Sequence, residues 1–120
     1  MENQLVPFEG KEIRKIEHNG EWYFSVIDII GILTDSPNPK NYWSVLKNRE
    51  PQTLTVCKSF KMLSADGAMR KTDCANTEGV FRIIMSVPSP KAEPLKLWLA
   101  EQGKRTLHEA ENPLSINQIY

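Results

Sequence analysis

The hydrophobic positions follow two rhythms that take turns along the chain. KEIRKIEH (11–18) and EWYFS (21–25) are β-prone runs separated by Asn19-Gly20. Asn and Gly both tolerate the positive φ of a two-residue type I′ turn, so this stretch predicts a hairpin. On its first strand Ile13 and Lys15 share one face while Arg14 and Ile16 share the other, a mixed alternation. A short strand over 5–9 is expected beside it. The rhythm then becomes helical. Ser25 followed by Asp28 is a capping-box pattern, and Val26, Ile27, Ile29, Ile30, Ile32 and Leu33 leave almost no polar face. That helix is expected at the centre of the core.

SPNP then breaks the chain. Asn38 can cap the next helix and Pro39 suits its first position, which gives a helix over 39–49 ended by Pro51. Tyr42, Trp43, Val45 and Leu46 form its apolar side. Lys40, Ser44, Lys47 and Asn48 fall on the opposite side, with Asn41 beside them. Residues 54–74 read as a second hairpin around Asp66-Gly67. With Ala65 facing Ala68, Ser59 faces Cys74, and Cys57 lies diagonally to Cys74 on the same face, a poor disulfide geometry.

Asn76 or Thr77 can cap a helix ending at Val87, with Val80, Ile83, Ile84 and Val87 on one stripe and Phe81 and Met85 broadening it. SVPSPKAEPLKLW (86–98) follows. Flexible linkers are rich in Gly and Ser and poor in anchors; here prolines fix φ just before an amphipathic run, so a rigid corner is predicted. Ser89 can cap a turn starting at Pro90, and Pro94 fits a first helical turn. Leu95, Trp98, Leu99 and Gln102 continue at helical spacing, and Gly103 is a plausible stop. A last short helix is expected over 104–111. The fold class is α+β: one small domain of antiparallel β-hairpins packed on about four to five short α-helices. The domain is expected over 1–111, with 112–120 a tail or the start of a linker.

Composition narrows the chemistry. The 120 residues, 40% hydrophobic and 25% charged, suit one modest soluble core. No apolar stretch approaches the roughly 20 residues that span a bilayer, and the N-terminus carries no basic-then-apolar signal, so a cytoplasmic protein with no membrane partner is expected. Cys57 and Cys74 form no CxxC pair and no zinc spacing with histidine, so free thiols and no cofactor are expected. His18 and His108 have no positioned partner for general base work. There is no G-x-S-x-G, GxxxxGK[ST] or HExxH, and Asp28, Asp35, Asp66 and Asp73 are too dispersed for a nuclease metal cluster. Cys57 reads as a half-buried strand residue before a nucleophile, since nothing would lower its pKa. An enzyme is not expected.

Net charge is zero, but its distribution is uneven. Residues 1–35 are net −4. Residues 36–71 carry seven basic side chains against two acidic ones, net +5. A neutral molecule can still turn one positive face to an anionic polymer. The polar side of helix 39–49 therefore has two readings: a solvated surface, or a nucleic-acid contact. In the second, Lys40, Lys47 and Arg49 would meet phosphates, while Asn41, Ser44 and Asn48 could reach base edges. Lys58, Lys61, Arg70 and Lys71 make the following hairpin a basic ribbon, an element that can enter or flank a groove. Lys91 and Lys96 would extend the patch. Trp22, Trp43 and Trp98 could stack on single-stranded bases, but in apolar patterns they read first as core.

NGEWYFSVIDIIGILTDSPNPKNYWSVLKNRE, followed by LSADGAMRKTDCANTEGVFRIIMSVPSPKAEPLKLWLAEQG, closely resembles the BRO family N-terminal domain. WYFSVIDI, DCANTEG and SPKAEPLKLWL carry the likeness, over about residues 11–111. It is nearest to the DNA-damage-inducible protein D branch, in a family that includes prophage antirepressors. The resemblance implies a small α+β DNA-binding module, without a catalytic constellation to carry over. Taken together, these readings predict a DNA-binding, transcription-regulatory domain of prophage antirepressor type. Its contacts with double-stranded DNA would come from helix 39–49 and ribbon 54–74. The alternative is a module that grips a repressor or other regulatory protein without touching DNA. A homo-oligomer is a further possibility.

Overall fold

The computed structural model describes residues 3–102. The proposed stop at Gly103, the helix over 104–111, His108 and the tail over 112–120 lie outside the described residues. Five antiparallel strands form one sheet in the order β1-β2-β3-β5-β4. β1 (Asn3–Phe8) and β2 (Lys11–His18) turn at Glu9-Gly10, where both residues have positive φ (49° and 83°). Glu is an unusual occupant of such a turn, so the sequence signalled a short strand but not its hairpin. β2 and β3 (Glu21–Ser25) turn at Asn19-Gly20 as predicted, with φ of 53° and 81°.

The expected register of the second hairpin is wrong by one residue. β4 (Cys57–Leu63) and β5 (Met69–Ala75) pair Lys58 with Cys74 and Ser59 with Asp73. The Ser64 carbonyl accepts from the Gly67 N–H (2.9 Å), and the Ala68 carbonyl from the Ser64 N–H (2.8 Å). Only Gly67 in this loop has positive φ (87°), which marks a three-residue bulged loop instead of a two-residue turn. A one-residue slip exchanges faces, so Cys57 and Cys74 lie on opposite sides of the sheet. Residues before 57 are not strand: Pro51–Val56 form a short 3-10 helix, since Pro51 favours a helical turn and the Thr53 and Thr55 hydroxyls donate back to the Glu50 and Gln52 carbonyls.

α1 (Val26–Thr34), α2 (Pro39–Arg49), α3 (Thr77–Ser86) and α4 (92–102) pack on one face of the sheet. Their caps are those the sequence signalled: Ser25 Oγ, Asn38 Oδ1 and Asn76 Oδ1 accept from the N–H groups of Asp28, Asn41 and Gly79. The corner at 86–98 is fixed. Ser89 Oγ accepts from the Lys91 N–H, Pro94 sits in the first turn of α4, and the Trp98 indole donates to the Pro7 carbonyl at 3.1 Å. Ile29, Ile30, Leu46, Val80, Ile83, Ile84, Leu95 and Leu99 are buried with Ile13, Phe24 and Ala75 from the sheet. Lys15 explains the mixed alternation of β2. It points inward with Ile13, its ammonium 3.8 Å over the Trp22 ring and 3.2 Å from Gln102 Oε1.

Ile16, Tyr23, Met62 and Cys74 form a smaller buried cluster on the other face, with Phe60 against it. β2 and β4 are not neighbours, yet Arg14 Nη1 donates to the Leu63 carbonyl at 3.0 Å. The sheet therefore curls far enough for the Arg14 side chain to bridge these two strands beside the second cluster.

Candidate nucleic-acid interface

α2 is fastened to β5 by one carboxylate. Asp73 Oδ2 accepts from the Trp43 indole at 2.8 Å and from Lys47 Nζ at 3.4 Å, while Oδ1 accepts from Ser59 Oγ at 3.2 Å. Burial pushes the Asp73 carboxyl up, but the indole, the ammonium and the hydroxyl together hold it below its ordinary value. Beside this joint, an open groove of about 920 Å³ runs between α2, the start of α1, β1–β2 and the distal half of the β4–β5 hairpin. Its floor is a tight ion pair. Arg14 donates to both oxygens of Asp28 (2.9 and 3.1 Å), and to Ser25 Oγ at 3.1 Å.

Five of the ten expected contact residues line this groove: Lys40, Ser44, Lys47, Arg70 and Lys71. Lys61 is paired directly opposite Lys71, so the two share the helix-facing side of the hairpin. The other four are elsewhere. Lys58 is three residues from Lys61, an odd spacing that puts it on the opposite face. Asn41 and Arg49 line a shallow hollow on the far flank of α2 together with Val45, and Asn48 is exposed. Val45, read as part of the apolar side of α2, is in fact exposed, because Trp43 and Leu46 already fill the contact with the core. Trp43 is buried and Trp22 and Trp98 pack against the core, as their patterns suggested.

Ion pairing thins the cationic set. Lys47 is held by Asp73, Arg49 by Glu50 at 3.8 Å, and Arg70 by Asp66. Those acids belong to the middle segment or to β5, not to the acidic first third. Among the described residues Lys40, Lys58, Lys61 and Lys71 form no ion pair. Of these four, Lys40 on α2 and Lys71 on β5 line the groove, and Lys61 is the cross-strand partner of Lys71. Sequence reasoning missed Arg14 and Asp28, which meet only through folding. It also passed over Leu63 and Met69, an apolar pair placed three residues either side of Asp66, which the expected two-residue turn does not bring opposite each other.

The described residues contain no group of three or more His, Cys, Asp or Glu side chains able to hold a metal ion. No helix among them is long and apolar enough to cross a membrane.

The family model described as BRO family, N-terminal domain, matches residues 12–104. The chain belongs to the BRO family. No curated protein and no solved structure matches it. The BRO match takes in β2 to α4, and so includes the groove, α2 and the basic hairpin, while β1 lies before it.

Proposed function

We propose that this BRO domain binds duplex DNA as part of a cytoplasmic transcription regulator of the prophage antirepressor type. The contact face is narrower than the sequence suggested: Lys40, Lys61 and Lys71 meet phosphates, Lys47 and Arg70 support them, and Ser44 lies closest to a base edge. The observation that carries this reading is the Lys61–Lys71 pair. Like charges directly opposite on neighbouring strands weaken a sheet, and neither lysine forms an ion pair among the described residues, although Asp73 stands two residues along on the same face, engaged by Trp43, Lys47 and Ser59. A row of phosphates would pair with both. Family membership supports the same reading.

Labelled duplex DNA, titrated across a salt series, tests the proposal. Affinity falls steeply with salt, and the Lys61→Glu/Lys71→Glu variant loses most of it at matched salt. Equal binding by that variant would remove this face from the proposal, and absence of binding to any duplex would remove the function.

A second reading has its own observation. Met85 on α3 and Leu97 on α4 are 70% and 72% exposed and lie away from the groove. They suit a regulatory protein partner, such as a repressor, or a second copy of the chain. Salt-insensitive association that is abolished by Met85→Ser or Leu97→Ser would favour this reading.

A further inference from the structure

Leu63 and Met69 are the last ladder pair of the β4–β5 hairpin, one position behind the Ser64–Ala68 hydrogen bond that closes the loop, and they are 54% and 52% exposed. Single exposed apolar residues are ordinary, but these two are directly opposed on one face near the hairpin's end, where Leu63 also lines the groove. The next pair on that same face is Lys61–Lys71. The two pairs are two residues apart, about 7 Å along the strands. An apolar pair thus sits next to two cations, one on each strand of the hairpin. We infer that this hairpin end enters the minor groove of duplex DNA and wedges Leu63 and Met69 against a base step, bending the duplex.

This inference rests on the DNA-binding reading above and adds the groove, the contact and the deformation. The minor groove is about 6 Å wide and has a row of phosphates along each wall. A lysine on each strand of the hairpin gives one cation for each anion row. Leu and Met carry no donor or acceptor suited to the hydrogen-bond code of major-groove base edges, whereas apolar side chains at a base step are the usual means of unstacking it. Asp66, the one acid of the loop, does not face the duplex uncompensated: Arg70 and the Ala68 N–H hold its carboxylate.

A wedge works only if its support is stiff. Here the backbone carbonyl of Leu63 is itself gripped by Arg14, whose guanidinium is locked by Asp28 and Ser25 at the start of α1. The opposite strand is tied to α2 through Asp73. The hairpin end is therefore anchored to two helices and can transmit force to the duplex.

The test uses the full chain and an A·T-rich duplex of about 30 base pairs with a donor and an acceptor dye at its ends, since kinks of this kind span roughly 20–90°. Binding is followed by anisotropy and bending by energy transfer, both at saturating protein. The expected result is a rise in transfer with wild type that is absent with Leu63→Ser/Met69→Ser. Both positions are more than half exposed, and a thermal melt checks that the variant is folded. Wild-type binding without a change in transfer would overturn the wedge and leave the DNA-binding reading standing. So would a folded variant that bends DNA as wild type does. If no duplex is bound, the DNA reading fails and takes the wedge with it. If the tip pair instead drives self-association, shown by sedimentation that the variant reverses, the wedge is likewise overturned.

Discussion

The indole N–H of Trp43 donates to Asp73 Oδ2 at 2.8 Å, and this bond joins the middle of α2 to β5 across thirty residues of sequence. Trp43 is buried and the Asp73 side chain is about one quarter exposed (27%). A hydrogen bond to a charged acceptor in such a setting contributes about 1.5–3 kcal/mol. Trp43→Phe keeps most of the packing and removes the donor, so its cost falls at the low end of that range. Asp73→Asn also removes the charge felt by Lys47. In a double-mutant cycle followed by urea unfolding, the two changes together cost less than the sum of the single costs. Strict additivity would show that the indole and the carboxylate do not interact.

The same carboxylate gives the fold an acid-sensitive joint. Burial raises the Asp73 pKa, but the Trp43 indole, Lys47 and Ser59 outweigh it, and the net value lies below the ordinary 3.8. A folded value below the unfolded one means that the contribution is complete at pH well above 3.8. It is lost as pH falls from there through the folded value. Asp35 and Asp66 are lowered as well, by Lys11 and Arg70, but both are fully exposed and solvent screens their pairs. The stability gap between wild type and Asp73→Asn is therefore expected to shrink as pH falls from about 5 through the folded value below 3.8, as the wild-type carboxylate protonates. A gap that stayed constant over that range would place the acid transition elsewhere.

Helices and caps were legible because they depend on local chemistry: Ser25, Asn38 and Asn76 each cap the helix that their neighbours' periodicity announced. The Asn19-Gly20 turn was legible for the same reason. What misled was any feature decided by more distant partners. The β4–β5 register depends on whether Asp66 or only Gly67 takes positive φ, and one dipeptide is compatible with both loops. The charge count over 36–71 located the right segment but not its geometry. Alternation separates Lys58 from Lys61, and Asp73, just beyond the segment, neutralises Lys47. The groove floor, Arg14 on Asp28, follows from the β2–β3 register, which extended by one pair sets Arg14 opposite the cap Ser25; what depends on how far the sheet curls is the further reach of Arg14 to the Leu63 carbonyl.

Two glycines carry different constraints, and alanine substitution separates them. Gly67 has φ of 87° and open space around its missing side chain, so Gly67→Ala costs only the backbone strain, about 1–2 kcal/mol. Gly67→Asn costs less, because Asn tolerates this conformation. Gly79 lies in the first turn of α3 with ordinary φ. A Cβ there would meet the Val56 carbonyl oxygen and the Ala75 Cβ, each at 3.0 Å. Alanine is the better helix former, yet crowding against a backbone atom forces α3 off the sheet, and Gly79→Ala is expected to destabilise by about 1–3 kcal/mol. Urea melts of the variants check both values, and a more stable Gly79→Ala would show that the 3-10 segment gives way.

The two thiols are expected to be inert in the folded protein. Burial pushes Cys57 up to about 11 and Cys74 up to about 12, with the nearby Asp73 carboxylate adding to both. At pH 8 the Cys57 thiolate is then about one part in a thousand, and Cys74 is rarer still. Each thiol also donates to a nearby carbonyl, Cys57 to Thr53 at 3.3 Å and Cys74 to Thr72 at 3.4 Å. Their side chains leave opposite faces of the sheet, so no rotamer change brings the sulfurs into bonding position. Ellman's reagent is expected to react slowly with native protein and to count both thiols in urea. Mild oxidation is expected to leave the monomer uncrosslinked. An intramolecular disulfide formed without unfolding would require the two cysteines to share a face, and so would overturn the register on which the Lys61–Lys71 and Leu63–Met69 pairs depend.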